Sequence, residues 1–94
     1  MFVRVVRFTG VSAERMQSVE EQVKADGGPP PGVSTESVEF LFDEAQGTVV
    51  VVQRYATAAD MREAARIFDA MDSGDTPGTR ASVDSCEMRL ELRP

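Results

Sequence analysis

Apolar residues recur along the chain with two different periods, and the changes of period divide it into six segments. Residues 2–8 (Phe2-Val3-Arg4-Val5-Val6-Arg7-Phe8) are β-branched and aromatic apart from two arginines, which predicts a strand. Thr9-Gly10-Val11-Ser12 breaks it. Ser12 is placed to cap a helix, with Glu14 in the favourable first turn. Met16, Val19 and Val23 then recur at helical spacing, so residues 13–25 read as an amphipathic helix with Glu14, Gln17 and Glu21 on its solvated side. Gly27-Gly28-Pro29-Pro30-Pro31-Gly32 cannot continue that helix and predicts a stiff loop.

The second half repeats the theme. Residues 35–43 predict a second strand, and Asp43-Glu44-Ala45-Gln46-Gly47 is a connection of hairpin length. Thr48 to Tyr55 contains four consecutive valines, the mark of a central strand covered on both faces. Thr57-Ala58-Ala59-Asp60 resembles a capping box, and Met61, Ala64, Ala65, Phe68 and Met71 follow helical spacing, so residues 58–72 predict the second helix. Ser73-Gly74-Asp75-Thr76-Pro77-Gly78 ends it. Residues 81–92 alternate, with Cys86, Met88, Leu90 and Leu92 on an apolar face shared with Ser82 and Asp84.

The order βαββαβ is that of a ferredoxin-like α+β sandwich: a four-stranded antiparallel sheet with two helices on one face. Strands one and three are then central, and two and four are edges. Two helices cover only one face, yet Val49–Val52 puts apolar side chains on both, as do Phe2, Val6 and Phe8 against Val3 and Val5. An apolar sheet face left in water is an oversized exposed patch. A second copy stacking its own sheet there removes it, so a homodimer is expected.

Composition narrows the chemistry. Ninety-four residues make a single domain, 1–94, and the net charge of −6 lacks the basic footprint of a nucleic-acid binder. Histidine, tryptophan and asparagine are absent, which removes the commonest general base, the commonest zinc ligand and the Ser-His and Cys-His nucleophile pairs. One cysteine excludes an intramolecular disulfide and any CxxC metal or redox site. Arginine interrupts the first apolar run, and no run approaches a membrane span of about 18 residues, so a cytoplasmic protein with no membrane partner is expected. No motif calls for a cofactor or a metal: Gly27-Gly28 is not followed by GxxxxGK[ST], and Asp69, Asp72 and Asp75 lack the spacing of a calcium loop.

The segment order, Pro31-Gly32 before the second strand, the acidic-Gly turn 43–47, Val49–Val52 running to Tyr55, and Thr57-Ala58-Ala59-Asp60 opening an Ala-rich helix carry a family likeness. Over nearly its whole length the chain resembles the dimeric α/β-barrel superfamily, to which the antibiotic-biosynthesis-monooxygenase-like domains belong. The resemblance implies two stacked sheets in a dimer and a pocket in each subunit between sheet and helices. Some members use that pocket for cofactor-free oxygenation of polycyclic substrates, others for haem degradation. This chain has no histidine for haem, and it lacks the Asn and Trp associated with the oxygenases; Tyr55 stands where the strand-end aromatic is often Trp.

Within such a pocket, Arg7, Tyr55 and Arg80 are the candidate ligand-binding residues. Arg4 and Arg7 lie on opposite faces of the first strand. Each needs a carboxylate or water if buried, with Glu39, Asp84, Glu87 and Glu91 available. Each is either a structural ion pair or an anion-binding group, and Arg7, nearer the strand end, is the better placed for a pocket. Tyr55 is either a packed aromatic with its hydroxyl at the rim or a pocket hydrogen-bond donor. Arg54 and Arg80 flank the expected mouth. Cys86 reads as a buried, inert thiol, and Met16, Met61 and Met71 as core filling or as soft walls for an apolar ligand. Two functions follow: a small homodimeric domain binding an apolar or aromatic small molecule, with or without monooxygenase-like chemistry, or a non-catalytic dimerisation or regulatory module.

Overall fold

The computed structural model describes residues 1–71 and 76–94. Its elements run β1 (Phe2–Thr9), α1 (Ala13–Asp26), β2 (Ser37–Asp43), β3 (Thr48–Tyr55), α2 (Ala58–Asp69) and β4 (Thr79–Glu87). The four strands form one antiparallel sheet in the order β2-β3-β1-β4. This is the expected ferredoxin-like α+β arrangement, with β1 and β3 central.

Local chemistry explains where the elements begin and end. Ser12 Oγ accepts from the Arg15 amide at 3.0 Å and Thr57 Oγ1 from the Asp60 amide at 3.0 Å, so each helix starts on a capping hydroxyl. Gly27 closes α1 in the left-handed region, its amide donating to the Val23 carbonyl. Gly47 takes φ 65° to turn the β2–β3 hairpin, and its carbonyl accepts from the Val11 amide at 2.8 Å. At Gly78 a side chain has no room: a Cβ there would overlap the Thr9 carbonyl oxygen and lie 2.9 Å from Val11 Cγ2.

Register assigns the faces. Phe2 pairs with Tyr55, Arg4 with Gln53, Val6 with Val51 and Phe8 with Val49, and these alternate residues lie under the helices. Val6, Phe8, Val11, Met16, Val19, Val49 and Val51 make the larger core cluster, while Tyr55, Met61 and Ala64 make a smaller one with Phe2, Val33 and Phe68. The opposite face carries Val3, Val5, Val50 and Val52, all only part-buried, and Leu41, which is 53% exposed. The helices cover one face of β1 and β3, and the other presents these valines between Arg7 and Arg54.

Several expectations change. The fourth strand, expected over 81–92, ends at Glu87. Met88 makes the last bond, its amide donating to the Met1 carbonyl at 2.9 Å, and the residues after it have no β1 partner. Leu90 and Leu92 are exposed in consequence. Cys86, expected to be buried with them, is exposed, because it lies on the uncovered face opposite Val3. Helix α2, expected over 58–72, ends at Asp69, where the amides of Ala70 and Met71 turn to carbonyls three residues back; Met71 is exposed rather than core. Val23 likewise sits at the α1 margin, 38% exposed. Asp72 and Asp75, which the sequence sets beside Asp69, lie outside the described residues. Among the described residues no helix is long and apolar enough to cross a membrane.

Candidate functional site

The exceptional feature of the core is a polar cluster where apolar packing would be expected. Arg4 in the middle of β1 is 2% exposed, its β3 neighbour Gln53 is 4% exposed, and Tyr55 is fully buried. Their shared face follows from the period of two along each strand and from the β1–β3 register. Tyr55 donates its hydroxyl proton to Gln53 Oε1 at 2.8 Å, and Arg4 Nη1 donates to the same oxygen at 3.3 Å. The Arg4 guanidinium carbon lies 5.4 Å from the centroid of the Phe68 ring. Arg4 Nη2 reaches Asp69 Oδ1 at 3.4 Å, but Arg4 Nε is buried without a hydrogen-bond partner.

Asp69, the last residue of α2, carries the cluster outward. Its Oδ1 also accepts from Arg80 Nη1 of β4 at 2.7 Å, so two guanidiniums from different strands converge on one carboxylate oxygen. Beyond them opens a groove of about 680 Å³, lined by Gly10, Arg15, Phe68, Asp69, Met71, Pro77, Gly78 and Arg80 among others. Arg15 Nη2 donates to the Thr76 carbonyl at 2.8 Å and ties the start of α1 to this rim. Phe68 and Asp69 thus form a wall with groove on one side and Arg4 on the other.

The electrostatics follow from burial. Desolvation lowers the pKa of Arg4, and repulsion from Arg80 lowers it further; Asp69 and Tyr55 act the other way. Burial raises the Tyr55 phenol above its ordinary value, with Arg4 opposing. Tyr55 is therefore a neutral hydrogen-bond donor at neutral pH. Guanidiniums offer fixed donors and positive charge rather than proton transfer, so the arrangement is suited to holding and orienting a ligand.

The expected site residues are only partly brought together. Arg80 lines the groove, and Tyr55 stands behind its wall through Gln53 and Arg4. Arg7 lies on the uncovered face, paired in register with Val50 and Ser82, on the other side of the sheet from both. Arg54 also faces away and binds Glu39 at 3.1 Å, so it does not flank the groove. Tyr55 has no hydroxyl at a rim: its ring is enclosed by the smaller core cluster. Arg4 takes its carboxylate from Asp69, none of the four acidic residues that the sequence made available. Gln53 joins the cluster although sequence reasoning does not single it out. A signal is present in parity: Arg4 alternates with Phe2, Val6 and Phe8, the bulkier set, whereas Arg7 alternates with Val3 and Val5.

No protein-family model matches the chain, and no curated protein matches it either. Among the described residues no group of three His, Cys, Asp or Glu side chains gathers as a metal site.

Proposed function

We propose that this chain is the protomer of a small homodimer that binds an apolar or aromatic small molecule in the groove at the C-terminal end of α2. The observation that carries the reading is the buried Arg4–Gln53–Tyr55 cluster behind the groove wall. A 94-residue domain is only marginally stable, and an apolar core at these positions would be the more stable choice. Polar groups placed against that preference, next to an open groove, fit a ligand site. The groove's apolar wall of Phe68, Met71 and Pro77 fits an aromatic or aliphatic body.

The uncovered sheet face supports the dimer. Val3, Val5, Val50, Val52 and Leu41 form an apolar strip edged by Arg7, Glu39, Arg54 and Asp84, and a two-fold mate presents an identical one. Stacking on that face leaves the groove, on the helix side, open. The same features support membership of the dimeric α/β-barrel superfamily as a binding domain, with monooxygenase-like chemistry as one use such a site can serve.

A thermal-shift screen against aromatic metabolites tests the binding reading. Ligand at about 100 times its dissociation constant adds about 2.7 kcal/mol of stability. A broad library with no hit would leave the dimerisation or regulatory module as the better reading. Light scattering tests the dimer: twice the 10.2 kDa chain mass is expected at micromolar concentration, and a monomer there would overturn it.

A further inference from the structure

We infer that the groove selects ligands carrying a carboxylate or similar monoanionic group, which Arg80 and Arg4 receive in the place Asp69 now holds. The inference rests on the proposed ligand-binding function and names the chemistry of its ligand.

Three observations carry it. Two guanidiniums, from β1 and β4, point to one oxygen, Asp69 Oδ1. Carboxylates accept paired donors of this kind, and guanidiniums present them in a fixed fork. Asp69 is held firmly by Arg80 at 2.7 Å but only loosely by Arg4. Its side chain is 54% exposed, it closes a helix end, and its contact to Arg4 is 3.4 Å long. It resembles an internal stand-in for an anion more than the partner of a buried charge. Finally, Arg4 is almost wholly buried and retains an unpartnered Nε, so its donor capacity exceeds what the fold supplies.

The geometry around the two arginines suits an anion with an apolar body. Arg80 is 40% exposed at the groove and reachable from solvent, while Phe68 and Pro77 line the space beside it. Entry of a ligand carboxylate exchanges one anion for another: Asp69 turns out to water, and Arg80 keeps a charge-assisted bond throughout. The swap moves one negative charge in and releases one, so Arg4 is never left buried without a counter-ion. A neutral ligand of the same shape cannot make the exchange.

Calorimetric titration with a matched pair of probes, 2-naphthoate and 2-naphthamide, tests this on the whole chain. Naphthoate is expected to bind about ten- to a hundredfold more tightly, the worth of a charged over a neutral hydrogen bond. Arg80→Gln, a substitution at a half-exposed side chain, should erase that preference, bringing naphthoate down to the affinity of naphthamide for the same variant. Asp69→Asn should raise naphthoate affinity, because the competing internal anion is gone. A merely structural Asp69 predicts unchanged or weaker binding in that variant. Equal affinity for the two probes, or an Asp69→Asn variant that binds naphthoate no more tightly, would overturn anion selection and leave the groove as an apolar site. Binding of neither probe would overturn the ligand-binding function together with this inference.

Discussion

Arg4→Met separates a side chain kept for stability from one kept for binding. Taking the guanidinium out of water costs several kcal/mol. The compensating contacts are weak here. The 3.3 Å bond to Gln53 is longer than an ideal N–H···O bond and contributes about 1 kcal/mol. Stacking on Phe68 adds about 0.5–2 kcal/mol, and the half-exposed Asp69 at 3.4 Å adds at most about 1 kcal/mol. The orphaned Nε offsets none of that cost. Methionine follows the same path through the core and leaves Gln53 bonded to Tyr55 and Asp69 bonded to Arg80. Arg4→Met should therefore stabilise the fold by about 1–2 kcal/mol, within the range for apolar replacement of buried ions. Each kcal/mol is worth about 4–8 °C in Tm for a domain of this size. The assay is urea denaturation followed by far-ultraviolet circular dichroism. Protein concentration is held fixed, because dimer stability depends on it. Destabilisation by more than about 2 kcal/mol would refute the reasoning and make Arg4 a structural ion.

Gly78→Ala should destabilise by about 1–3 kcal/mol in the same assay, because the new Cβ meets the carbonyl oxygen of Thr9, which pairs with Thr79 in the sheet; an unchanged midpoint would show that the backbone leading into β4 yields there. Tyr55 is the only tyrosine, and burial raises its pKa above the ordinary 10.0, so its contribution to stability is full below about pH 10 and is lost as pH climbs through the raised value. Phenolate absorbance should then appear together with loss of circular dichroism; a phenol titrating near pH 10 in an intact fold would contradict the burial. Val52→Asp puts a charge in the middle of the uncovered apolar face and should give a folded monomer by light scattering, whereas an unchanged dimer would move the interface elsewhere.

The fold was legible because each element announces itself locally. Ser12 and Thr57 are caps with accepting hydroxyls, Gly27 and Gly47 supply the left-handed turns, and the valine run of β3 has no competing period. The end of β4 was not legible. Alternation at Met88, Leu90 and Leu92 continues past the point where β1 has a partner to offer, and pairing, not pattern, decides a strand's length. The site was half legible for a related reason. Arg80 and Tyr55 could be picked out as residue types in suggestive places. Arg4 and Arg7 look alike in sequence, and only the face each occupies distinguishes them. Asp69 meets Arg4 across 65 positions, a convergence set by where α2 stops on the sheet.

The central claim, a ligand site at the end of α2, is tested most directly by nuclear magnetic resonance mapping of amide shifts as 2-naphthoate is added to isotope-labelled protein. The expected result is a saturable set of shifts confined to Gly10, Phe68, Asp69, Gly78 and Arg80, with the uncovered sheet face of Val3, Val5 and Val52 unmoved. Shifts centred on that valine face, or none at all, would contradict it.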